Sequence, residues 1–117
     1  MNAEEVRTFC LSLNETTESF PFNDTTLVFK VAGKIYALLN LEGELSINLK
    51  CDPELALSLR EHFDAVLPGY HMNKKYWNTI LVDQVSEDQL KGWIEHSRDQ
   101  VVMKLPVKDR ERLTNSG

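Results

Sequence analysis

The sequence predicts an α+β fold in which an antiparallel β-meander and a C-terminal hairpin are covered by three helices. Three observations predict it. Two capping signatures and one Asp-Pro start mark three helices. Alternating apolar residues between Gly-containing turns mark the strands. The order runs helix, four extended segments, helix, hairpin, helix. With 117 residues, 42% apolar and 26% charged, the chain fits one domain around one core.

The first helix starts at Asn2, with Glu5 three residues on, and Val6, Phe9, Cys10 and Leu13 form its apolar stripe. Asn14 is the expected left-handed stop. Thr16 to Asn23 carries Phe20-Pro21-Phe22 and reads as a short edge strand or extended lead-in. Asn23-Asp24-Thr25 is a turn, and the strands Leu27 to Val31, Lys34 to Leu41 and Glu44 to Lys50 follow, joined at Ala32-Gly33 and Glu42-Gly43. Ile35, Ala37, Leu39 and Leu41 are expected on one face. Leu45, Ile47 and Leu49 oppose Glu44, Ser46, Asn48 and Lys50, as in a sheet with one packed and one wet face. Asp52-Pro53-Glu54 opens a helix whose Leu55, Leu59 and Phe63 face the sheet. Val66 to Val82 forms a hairpin with its turn at Met72-Asn73-Lys74. Along its second strand, Ile80 and Val82 predict the even-numbered residues inside and Trp77 and Thr79 on the other face. Ser86 and Gln89 open the last helix, which buries Leu90, Trp93, Ile94, Ser97 and Val101 and stops at Pro106. The domain is expected over 1–106, with 107–117 a polar, frayed tail.

The net charge of −5 argues against a strong, sequence-blind nucleic-acid binder. No apolar run reaches membrane-spanning length, and the acidic N-terminus leads directly into a helix, so neither a signal peptide nor a membrane partner is expected. Cys10 and Cys51 have no ligand spacing and read as free thiols of a cytoplasmic protein. His62, His71 and His96 form no metal motif. Glu4, Glu5, Glu15 and Glu18 read as solvated charges. No phosphate loop, catalytic triad order or activated Cys is present, so the chain reads as non-enzymatic, without cofactor or metal, and as a monomer.

One stretch departs from this background. From Ala65 to Val82 there is no Asp or Glu, while Lys74, Lys75, His71, Tyr70, Tyr76 and Trp77 are gathered there. An acidic chain with a local cationic and aromatic surface suits an anion such as nucleic acid. The plain alternative is a solvated turn beside a packed Trp.

Pro68-Gly69-Tyr70-His71-Met72-Asn73-Lys74-Lys75-Tyr76-Trp77-Asn78-Thr79 resembles the signature of the MmcQ/YjbR family, small bacterial proteins with a CyaY-like fold. Phe29 to Ala37, Asn48 to Glu54, Ser97 and Lys104-Leu105-Pro106 resemble the family elsewhere, so the likeness covers roughly Met1 to Arg112. Two positions depart from it: Tyr76 where relatives often have His, and Arg98 where an aromatic is common. The resemblance implies an α+β fold and double-stranded DNA binding through a double-wing arrangement of hairpins. It carries that role to His71, Asn73, Lys74, Lys75, Trp77 and Asn78, and more weakly to Lys30 and Lys34. A protein- or metabolite-binding module using the same surface is the alternative. A frataxin-like iron role would need a denser acidic ridge than the four N-terminal glutamates supply.

Overall fold

The computed structural model of the protein describes residues 1–69 and 71–115. Helix α1 (Ala3–Ser12) opens on a closed capping box: Asn2 Oδ1 accepts from the Glu5 amide at 2.8 Å, and Glu5 Oε1 accepts from the Asn2 amide at 3.0 Å. The left-handed residue after it is Glu15 (φ 57°), not Asn14. Tertiary partners fix this exit. Arg98 donates to the Asn14 carbonyl at 2.7 Å, and Arg112 pairs with Glu15 at 2.9 Å. The Arg98 Nε is buried with no partner among the described residues.

Six strands form one antiparallel sheet: β1 (Thr16–Ser19), β2 (Thr26–Val31), β3 (Lys34–Asn40), β4 (Ser46–Lys50), β5 (Val66–Pro68) and β6 (Trp77–Leu81), in the order β1-β2-β3-β4-β6-β5. β1 is the expected edge strand, and Phe20 and Phe22 lie exposed beyond it. The β2–β3 turn holds both Ala32 (φ 50°) and Gly33 (φ 77°) in the left-handed region, the geometry that suits the twist of a two-residue hairpin.

The expected alternation along β3 fails at one point. Pairing slips from Phe29↔Ala37 to Lys30↔Ile35, leaving Tyr36 without a partner in β2. This bulge turns Tyr36 into the core, fully buried, in place of Ile35. Leu41, beyond the strand end, is exposed. The Tyr36 hydroxyl lies 2.9 Å from Thr16 Oγ1 and donates to the Cys10 carbonyl at 3.3 Å.

Phe29, Val31, Leu39, Ile47, Leu49 and Ile80 make the packed face of the sheet, and all the helices contribute to it. Helix α2 (Pro53–His62), capped by Asp52, supplies Ala56 and Leu59. Helix α3 (Glu87–Val102) has the expected Ser86–Gln89 capping box and buries Leu90, Ile94, Ser97, Val101 and Val102. The opposite face is not fully wet as predicted: Val28, Leu38, Ser46 and Thr79 are buried there. The expected frayed tail is instead a fourth helix, α4 (Val107–Asn115), with Leu113 in the core and Arg112 bound to Glu15 and Asp109. Its polar sequence hid a single apolar anchor. The last two residues of that expected tail lie outside the described residues.

Ser97 joins the layers. Its fully buried hydroxyl donates to the Tyr36 carbonyl at 2.5 Å and accepts from the Lys50 amide at 2.8 Å. Ser97→Ala leaves both backbone groups unpaired and is expected to destabilise the fold by about 1–3 kcal/mol in denaturant melts. The two cysteines are free and buried. Burial pushes the Cys10 thiol up to about 12, opposed in part by its hydrogen bond with Tyr36. Burial, then the Asp52 charge, pushes Cys51 up to about 11. Few thiolates therefore exist at neutral pH. A disulfide reagent is expected to label neither cysteine in native protein and both in denaturant.

Candidate functional site

The antiparallel registers bring two hairpins to one end of the sheet. The Ala32-Gly33 turn marks that end. β4 runs into it at Lys50, β6 leaves it at Trp77 opposite Lys50, and β5 reaches it at Pro68. The loop 69–76 therefore projects from the same end as the β2–β3 hairpin. Tyr70 lies outside the described residues.

Lysines from four chain segments converge there. Lys34, Lys50 and Lys104 line a cleft of about 280 Å³ floored by Ile35, Val101 and Leu105. Burial, and then the charge of Lys104, lowers the Lys50 amine below its ordinary value. Lys104 and Lys75 both approach the Tyr76 ring, at 5.1 and 5.5 Å from its centroid. Lys74 and Lys75 face a neighbouring cleft of about 360 Å³ with Pro53, Glu54, Leu57 and Arg60. Among the described residues, the ion pairs are Arg7–Glu18, Lys91–Glu87, Arg112–Glu15 and Arg112–Asp109, so none of these five lysines forms one, although Glu54 shares the cleft of Lys74 and Lys75.

Arg60 holds the loop against α2. Its Nε donates to Asn78 Oδ1 at 2.6 Å and its terminal nitrogen donates to the Lys74 carbonyl. Asn73 shapes the turn itself: Oδ1 accepts from the Lys75 amide at 3.0 Å, and its carbonyl accepts from the Tyr76 and Trp77 amides. Gly69 closes the loop's base. Its amide donates to the Trp77 carbonyl at 2.9 Å, and a Cβ there would meet the Trp77 Cβ at 2.8 Å.

The sequence-predicted residues are thus divided. Lys34, Lys74 and Lys75 are exposed at the cationic end, and half-buried Trp77 stands beside Lys50. Lys30 is half-buried on the sheet face opposite Phe29 and Val31. His71 (φ 60°) is exposed, but lines a separate cavity over the sheet face that the helices leave uncovered. Asn78 is corrected. At 1% exposure it donates to the Ala56 carbonyl at 3.3 Å and accepts from Arg60, so its amide cannot reach a ligand in solvent. Ile80 and Val82 did predict its burial from strand parity. Lys50, Arg60 and Lys104 were missed because they lie outside the acid-free stretch. The Lys104-Leu105-Pro106 exit was the signal that pointed to one of them.

The N-terminal acids have local partners: Glu18 takes a bidentate hydrogen bond from Arg7, Glu15 binds Arg112, and Glu5 caps α1. His96 Nε2 accepts from the Asp52 amide at 3.2 Å, which gives it a structural role at the start of α2.

The YjbR family model matches residues 11–100. The chain belongs to the YjbR family. It is 36% identical over 112 residues to Escherichia coli O157:H7 YbdF, covering 94% of this chain and 92% of that protein. With YjbR of Escherichia coli K12 it shares 28% identity over 115 residues, covering 97% and 98% of the two chains. The crystal structure of Deinococcus radiodurans DR2400 superposes with a TM-score of 0.89 at 36% identity, covering 97% of this YjbR-family chain and 88% of that one. A Pseudomonas syringae structure superposes with a TM-score of 0.76 at 28% identity, covering 86% and 98%. These likenesses fix the family and the α+β fold. No helix among the described residues is long and apolar enough to cross a membrane.

If Arg60 holds the loop, Arg60→Ala leaves the buried Asn78 Oδ1 unpaired. The expected cost is about 1–3 kcal/mol, with faster amide exchange confined to residues 73–77 and α2.

Proposed function

We propose that this YjbR-family protein binds double-stranded DNA without catalysis, through the end of the sheet where the two hairpins meet. One observation carries the reading: Lys34, Lys50, Lys74, Lys75 and Lys104 gather there without carboxylate partners, on a chain of net charge −5. Like charges crowded together raise the energy of the free protein, and the Lys104 charge adds to burial in lowering the Lys50 amine. A polyanion relieves that repulsion and releases its own counterions. The exposed Lys74 and Lys75 suit phosphate contact, and Asn73 and Trp77 stand close enough along the chain to meet sugar or base edges. The remaining negative surface restricts binding to this patch, so affinity is modest and falls steeply with salt.

A labelled duplex titrated across salt concentrations tests this. With roughly three to five phosphates contacted, the slope of log K against log salt should be about −2.7 to −4.5. Lys74→Ala with Lys75→Ala should flatten that slope by about two phosphates' worth. Lys50→Met should weaken binding while leaving stability within about 0.5 kcal/mol, because it also removes the repulsion with Lys104. Binding by the double variant equal to that of the parent protein would overturn the reading.

A further inference from the structure

The sheet face away from the helices carries a second feature, chemically unlike the lysine end. A cavity of about 470 Å³ lies over β2, β3, β4 and β6, within the size range of small-ligand sites. Its floor and walls include Leu38, Asn40, Glu42, Ser46 and Asn48. Phe22, Met72 and His71 also line it. No lysine or arginine lines it, so it does not suit a phosphate.

The hydrogen-bonding inventory is specific. Asn48 Oδ1 already accepts from Thr79 Oγ1, and Asn40 Oδ1 accepts from the Glu42 amide at 3.3 Å. Both carboxamide oxygens are occupied in part, while neither NH₂ group has a protein acceptor among the described residues. The Ser46 hydroxyl also has no partner among them, although Ser46 is only 9% exposed. Its oxygen reaches the cavity, where a ligand atom can pair with it in place of water. The site therefore presents several donors, and one anionic acceptor in Glu42, which forms no ion pair among the described residues. Its apolar parts, Leu38, Phe22 and Met72, suit a flat ring.

We propose that this cavity binds a guanine-type nucleobase. Guanine bears two adjacent acceptors, O6 and N7, that match the Asn and Ser donors. Its N1–H and N2–H₂ donors match the Glu42 carboxylate. Adenine and cytosine put an amino donor where guanine has O6, and so set donor against donor. The base arrives either on a free nucleoside or as an unpaired residue of a nucleic-acid strand. The proposal stands on the cavity alone and is independent of the duplex reading.

NMR titration with guanosine, adenosine, cytidine and thymidine tests it. Guanosine should shift the amides of Asn40, Ser46 and Asn48, and the other nucleosides should bind about tenfold more weakly or worse. Glu42→Gln, at an exposed position, should weaken guanosine about tenfold with an unchanged melt. Guanosine carries no phosphate, so its binding should be indifferent to salt, which separates it from duplex binding. A short single strand with one guanine, set against the same strand abasic at that position, covers the second source. Preference for the guanine strand without free-guanosine binding assigns the site to strand recognition. Equal binding of all four nucleosides overturns the proposal, as does no binding of guanosine together with no preference for the guanine strand.

Discussion

The hydroxyl of Ser97 sits where three elements must agree. On helix α3, Ser97 is a small, fully buried side chain that faces the strands. The Tyr36 carbonyl and the Lys50 amide lie one step past Ala37↔Leu49, the last β3–β4 pair. Ser97 serves both with one oxygen. A buried hydroxyl that donates once and accepts once is fully used, and it leaves neither strand with an orphaned backbone group. The same contact fixes where the Lys50 side chain emerges and holds the end of α3, with Lys104 just beyond it, over the lysine cleft. The cationic end is thus anchored in the core and not only in surface loops.

The two surfaces of the sheet divide the chemistry. At one end, lysines from β3, β4, the β5–β6 loop and the exit of α3 accumulate without close ion pairs among the described residues, while acids elsewhere are drawn into pairs such as Arg7–Glu18 and Arg112–Glu15. On the uncovered face the lining holds one carboxylate, Glu42, and no lysine or arginine. The loop 69–76 connects them. Lys74 and Lys75 turn toward α2, and His71 and Met72 turn toward the sheet face. His71 is held at positive φ to make that turn, a conformation that costs a non-glycine residue roughly 1–2 kcal/mol.

Much of the fold was legible. The capping boxes at Asn2 and Ser86 and the Asp52-Pro53 start act through neighbours three residues apart, so the chain states them locally. Strand parity put Asn78, Ile80 and Val82 inside. Three features were not legible. The Tyr36 bulge is a mismatch between two strands, and neither strand alone reveals it. Helix α4 looks polar because its stability comes from Leu113 and from Arg112 reaching Glu15. The partners of the Asn78 amide, Arg60 and Ala56, lie about twenty residues away, so its parity gave its burial but not what occupies it.

The sequence by itself determined the family, the α+β class, the helix starts and the presence of an acid-free cationic hairpin. All of these depend on short-range patterning or on residues contiguous in the chain. Only the tertiary structure decided which lysines stand together, which groups occupy the Asn78 amide and what the uncovered sheet face offers. Those depend on side chains separated by tens of residues, whose distances are set by strand register and helix docking.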